Sequence, residues 1–201
     1  MITAQDKILH VANKLGLTSL KDMQASTGAV YDVDTDLSGT IFGQAARHQN
    51  PSITNVTENQ FEVNEALLVE NIAFYVLDEN EAVRNFQNIY GSNKVIVFDL
   101  VIGNKRVMKE TPVFAAGSPY VFANSGSTTR LVGEATVQAM VPRNQIFMEG
   151  VGILIPPQVQ WYVQYTIFNV VTGAIVAPTA STQIGCYLFG TKVLLNFNTS
   201  I

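Results

Sequence analysis

The chain has 201 residues and a formal net charge of −4, with 14% charged and 47% apolar side chains. A soluble domain ordinarily carries about 25% charged residues, so part of this surface is expected to be covered by identical neighbours or partners. Lysine and arginine form no cluster, which argues against direct binding to a phosphate backbone, and the lone cysteine, Cys186, excludes an intrachain disulfide.

The start, Met1 to Asp6, has neither a basic nor an apolar region of the kind a secretory signal needs, so synthesis in the cytoplasm without a signal peptide is expected. The first 23 residues read as helical. Thr3 and Asp6 have the spacing of a capping box, and Ile8, Leu9, Val11, Ala12 and Leu15 form one apolar stripe before Gly16 stops the helix. Ser19 and Asp22 repeat the capping signal for a second short turn.

Between Gln24 and Gln60 the periodicity fades, and only Gly39 to Phe42 looks strand-like. A structureless connection of that length is uncommon inside a compact domain. It is expected to be an extended arm, so the division is 1–60, helix and arm, and 61–201, β domain. The arm and its apolar stripe are the expected assembly elements.

From Phe61 onward the pattern is β. Strands are expected at Phe61 to Val63, Ala66 to Leu77, Lys94 to Ile102, Arg106 to Phe114, Thr129 to Met140, Gln145 to Ile155, Val159 to Phe168 and Gln183 to Phe197. Helical periodicity intervenes only at Glu79 to Asn88, so an antiparallel sandwich or barrel is favoured over βαβ folds. Alternation is clearest from Gln158 to Ile167, where Val159, Trp161, Val163, Tyr165 and Ile167 share the face expected to be buried. The opposite face carries amides and hydroxyls, which can meet another polar surface without desolvating a charge. The longest apolar run, Val95 to Ile102, is interrupted by Asp99 and falls short of the roughly 18 residues of a membrane helix.

Few motifs carry chemistry. Asp32, Asp34 and Asp36 alternate as calcium-loop ligands do, but Leu37 and Gly43 occupy the positions where an EF-hand requires Gly and Glu, so a solvated acidic turn is expected and these three are only weak metal candidates. His10 and His48 have no partner at metal-ligand spacing. Ser118, Ser125 and Ser127 lack a nucleophile-elbow frame, and Cys186 has no histidine near it in sequence. Glu62, Glu65, Glu70, Asp99 and Glu134 lie in or beside strands, where a pair could serve a glycosidase, although outward positions or inter-subunit pairs are commoner. Neither Gly150-Val-Gly152 nor Gly185 begins a nucleotide-binding loop, and the Asn55 and Asn198 glycosylation triplets are read as chance. No catalytic residues, no cofactor and no required metal are expected.

A helical N-terminus, a long polar arm, an eight-strand antiparallel body and a charge-poor surface together resemble viral coat proteins of the jelly-roll type, by layout across residues 40–201. The resemblance implies an eight-stranded jelly-roll β-sandwich that self-assembles through its arm and sandwich surfaces with other virion proteins. The arm carries Lys7, Lys14, Lys21 and Arg47 against Asp6, Asp22, Asp32, Asp34 and Asp36, unlike the basic arms that pack RNA genomes. The layout is therefore closer to tailless phages and related DNA viruses, where an inner membrane or other proteins separate shell from genome. The alternative is a carbohydrate- or receptor-binding β-sandwich, for which Tyr120 and Phe122 are the expected glycan contacts.

Overall fold

The computed structural model describes residues 3–17, 20, 23–43, 53–56, 58–78, 83–84, 93–112, 152–179 and 181–195. Its described part is mainly β, with one short helix and two antiparallel sheets. Helix α1 spans Ala4–Leu15, and the strands are β1 Gln24–Val33, β2 Thr40–Ile41, β3 Glu65–Asp78, β4 Val83–Arg84, β5 Lys94–Ile102, β6 Lys105–Pro112, β7 Ile153–Ile155, β8 Trp161–Asn169, β9 Ile175–Val176 and β10 Thr182–Leu194.

One sheet runs β1-β10-β3-β4, with β7 on the same margin of β3 as β4, and the other runs β2-β8-β5-β6, with β9 beside β2 on β8. The sheets enclose a core to which β3 contributes Leu67, Val69, Ile72, Phe74 and Val76, β5 contributes Ile96, Phe98 and Leu100, and β8 contributes Trp161, Val163, Tyr165 and Ile167. The ring of Phe74 meets that of Phe98 across the sandwich, centroids 4.9 Å apart. The expected inward face of β8 is therefore buried along the strand, while Val159 lies before it and is half-buried.

The inward positions of β3 change from odd (Leu67, Val69) to even (Ile72, Phe74, Val76) because the β10 pairing shifts register between Phe189 and Gly190. An extra residue on one strand reverses which side chains face the core. Gly190 sits at the shift because a Cβ there would collide with the Leu68 carbonyl oxygen and the Glu70 amide nitrogen. The bulge lets Glu70 interrupt an apolar strand. Its carboxylate lies on the outer side, accepting hydrogen bonds from Lys7 Nζ at 2.6 Å and Thr191 Oγ1 at 2.6 Å.

Helix α1 begins as the capping box foretells: Asp6 N donates to Thr3 Oγ1 at 3.2 Å and Thr3 N to Asp6 Oδ2 at 2.7 Å, and this second bond, with that of the Thr3 hydroxyl to the same oxygen, holds the Asp6 carboxyl below its ordinary pKa. It ends at Gly16, whose φ of 69° is the left-handed region that favours glycine. Its stripe docks on its own chain. Val11 packs with Ala66, Val193 and Leu195 on the outer face of the β1-β10-β3 sheet, where Leu15, Leu17, Met23, Ala25 and Leu154 join them. Ala12 is buried as well, while Leu9 is left 38% exposed.

The described part of the 24–60 stretch is not an arm laid outside the body. β1 pairs with β10 over its whole length, from Gln24 opposite Leu194 to Val33 opposite Gly185, and β2 pairs with β8. Strand β1 escapes sequence reading because Gln24 to Gly28 is polar or small on both faces and only its second half is buried. Ten strands occupy the described residues where eight were expected in all. Phe61 forms a single bridge to Pro157 instead of opening a strand, and Val83–Arg84, within the helical-period stretch, is extended. The second turn at Ser19 and Asp22 and the strand at Thr129 to Met140 lie outside the described residues.

Candidate functional site

Two places gather polar side chains. In the first, Asp32 and Asp34 are fully buried while Asp36 is exposed, so two of the three carboxylates of the acidic motif are not in the solvated turn its composition suggests. Asp32 Oδ2 accepts from Phe42 N at 2.6 Å. Asp34 accepts from Gly39 N at 2.7 Å, Ser38 N at 3.1 Å and the Tyr165 hydroxyl at 2.8 Å. Two carboxylates thus replace missing backbone partners where the chain leaves β1, turns, and enters β2 on the opposite sheet. The turn carries φ of 58° at Leu37 and 77° at Gly39, and Phe42, just past β2, has φ of 62°. A large non-glycine residue at positive φ is costly, and at Phe42 the bond to Asp32 and the packing on Trp161 hold it there.

Burial pushes the Asp34 carboxyl up from its ordinary pKa, and a hydrogen bond with Asp36 adds to the rise, against the lowering effect of Tyr165, Gly39 and Ser38. The folded state therefore binds this proton more tightly than the unfolded chain. Its contribution is largest below the ordinary carboxylate pKa and is lost as pH rises through the raised one. Asp34→Asn is expected to remove that dependence: melts from acidic to neutral pH should show the parent losing stability relative to the variant as pH increases. A flat difference would show that folding leaves the Asp34 pKa unshifted, and the opposite slope that folding lowers it.

The second place is a cleft of about 160 Å³ beside β1. Val30, Val56, Phe61 and Leu67 make its apolar floor, with Asn55, Glu58, Gln60, Glu62, Glu65 and Lys192 as its polar lining. Lys192 Nζ pairs with Glu65 Oε1 at 2.9 Å, so of the expected carboxylates Glu62 and Glu65 come to one cleft and Glu65 is engaged by the ammonium. Glu70 pairs with Lys7 on the outer face. Asp99 staples the bulge between β5 and β6, accepting from Glu110 N at 2.6 Å and pairing with Arg106 at 3.1 Å. The structure thus separates most of the strand carboxylates. Among the described residues no three His, Cys, Asp or Glu side chains converge as metal ligands. Cys186 is buried, which raises its thiol pKa and disfavours the reactive thiolate.

Two surface features escape sequence reading. Tyr31 and Tyr187 are direct cross-strand partners whose rings lie parallel, 7° apart in plane with centroids at 6.0 Å, and Phe189, opposite Ala29, is exposed nearby. Only the pairing of β1 with β10 brings these residues together. At the β8–β9 turn, Asn169 Oδ1 accepts from Val171 N at 2.9 Å and Gly173 N donates to Asn169 O at 2.8 Å, holding Val170, Val171 and Ile175 outward, 60%, 79% and 70% exposed. Tyr120, Phe122, His48, Glu134, Ser118, Ser125 and Ser127 lie outside the described residues.

No described helix is long and apolar enough to cross a membrane. Comparison with known proteins found no matching family model, no matching curated relative and no matching solved structure.

Proposed function

We propose that this chain is a structural virion protein, a shell component built on an eight-stranded jelly roll. The observation that carries the reading is strand order. Among the described strands, with β4 and β9 set aside and β2, also two residues long, kept, the remaining eight, renumbered along the chain, stand in the order 1-8-3-6 in one sheet and 2-7-4-5 in the other. Such interleaving of two facing four-stranded sheets is what a pair of rolled Greek keys produces. The low charge supports the same reading, as does the rigid turn presenting Val170, Val171 and Ile175, since exposed apolar groups of this kind suit contact with protein. The partners would be further copies and other virion proteins. Location in the virion follows, with synthesis in a host cytoplasm, an inner membrane as a compatible neighbour, no catalytic step and no direct hold on nucleic acid. Mass measurement with negative-stain imaging of the purified protein tests it: discrete oligomers, rings or shells are expected, and a monomer at every concentration would overturn it.

A carbohydrate- or receptor-binding module is the second reading, favoured by the parallel Tyr31 and Tyr187 rings beside exposed Phe189. Flat aromatic surfaces suit stacking on sugar rings. Glycan-array binding lost in Tyr187→Ala, with no self-association of the parent, would select it.

A further inference from the structure

We propose that the free edge of β1 pairs antiparallel with the same edge of a second copy, about a two-fold axis at Ser26. This rests on the reading of the chain as self-assembling and names the surface that does it. A sheet edge offers unpaired N–H and C=O groups, and proteins that must stay apart guard it with short strands, charge, proline or bulges. Among the described strands, three of the four sheet margins are guarded. β6 carries Lys105, Arg106, Lys109 and Pro112 and shifts register against β5. The β4 and β7 margin, like that of β2 and β9, consists of strands two or three residues long. β1 is different: ten residues, regular in register, with no proline or cation, and neutral from Gln24 to Tyr31.

The far half of that edge is already closed. Asn55 works as a false strand, its Oδ1 accepting from Tyr31 N at 2.8 Å, its Nδ2 donating to Ala29 O at 2.8 Å and its backbone N to Tyr31 O at 3.2 Å. These bonds also establish direction: odd-numbered residues of β1 turn their peptide groups away from β10. By the two-residue period of a strand, Ala25 and Thr27 do the same, and no other described strand pairs with β1 on that side. The open stretch is Gln24-Ala-Ser-Thr-Gly28, and the charged residue opposite it on β10 is Lys192, paired with Ser26 on the same face and held by Glu65.

Pairing centred on Ser26 sets Ala25 opposite Thr27 of the second copy, and the reverse, so that each pair exchanges two backbone hydrogen bonds and Ala29 stays with Asn55. Neutral Ser and Thr side chains bring no like charges together across the axis. A peptide of another protein could use the same edge, but the stretch is complementary to itself and needs none.

Ser26 would then face its own copy in a non-hydrogen-bonded pair, where Cα atoms lie about 4.5 Å apart, within the roughly 4.4–6.8 Å that a disulfide spans. Full-length Ser26→Cys is therefore expected to form a disulfide-linked dimer under mild oxidation, with the native Cys186 buried and silent. Gln24→Cys, whose counterpart across the axis is Gly28, should stay uncrosslinked. Adding Thr27→Pro to Ser26→Cys removes only an outward N–H and should abolish the dimer while circular dichroism stays unchanged; should that variant unfold, the cysteine pair decides alone. Equal crosslinking at 24 and 26, or none at either, overturns the proposal. Native particles without a 26-to-26 crosslink sink the edge and leave the shell reading standing. Crosslinked dimers from a parent that forms nothing larger sink the shell and leave the edge.

Discussion

A chain starting at Asn59 is expected to be unfolded, by circular dichroism and by the absence of a cooperative melt. The truncation removes α1, β1 and β2, and with them Val11, Ala12, Val30, Val33, Ile41 and Phe42, all buried. Fully burying a Val, Ile or Phe side chain contributes about 1.5–3 kcal/mol. Five such side chains together are comparable with a typical total stability of about 5–15 kcal/mol, before the exposed ladder of β10 is considered. Loss of an N-terminal arm that serves assembly alone would instead leave a folded body that no longer associates. Recovery of a folded, cooperative 59–201 fragment would show that β1 is dispensable to the sheet in which it is paired from end to end.

Trp161→Ala should be the most damaging single substitution in the core, costing about 3–5 kcal/mol. Trp161 is fully buried, with the Phe42 ring centroid at 4.6 Å and the Phe61 ring nearly parallel to it at 5.5 Å. The two ring contacts tie separate connections to β8: Phe42 directly follows β2 and Phe61 lines the cleft. Removing the indole therefore frees Phe42 from a positive-φ conformation that packing helps to hold. Thermal melting checks it. A variant that melts within a degree or two of the parent would mean that Trp161 does not carry the core.

Each of these expectations draws on a different level of information. The Trp161 face was legible because alternation from Gln158 to Ile167 records a strand with one dry side, a local pattern that needs no partner to be read. The Thr3, Asp6 and Gly16 caps were legible for the same reason: their bonds close within a few residues. The candidate cleft was barely legible. Glu62 and Glu65 stood out as carboxylates beside strands, but Lys192, more than a hundred residues away, meets them only because β10 lies against β3.

By itself, then, the amino-acid order determined a mainly β chain, the capped N-terminal helix, the boundaries of β5 and the buried face of β8. Only tertiary structure decided that Gln24–Val33 is a strand, that Asp32 and Asp34 are buried staples, and that Glu70 meets Lys7 on the outer face. The physical reason is common to all three. Neither a polar strand that hydrogen-bonds to β10 nor a carboxylate that satisfies distant amides carries a hydrophobic period of its own; the stabilising partner is supplied by residues far along the chain, and without that partner the same residues read as loop and solvated charge.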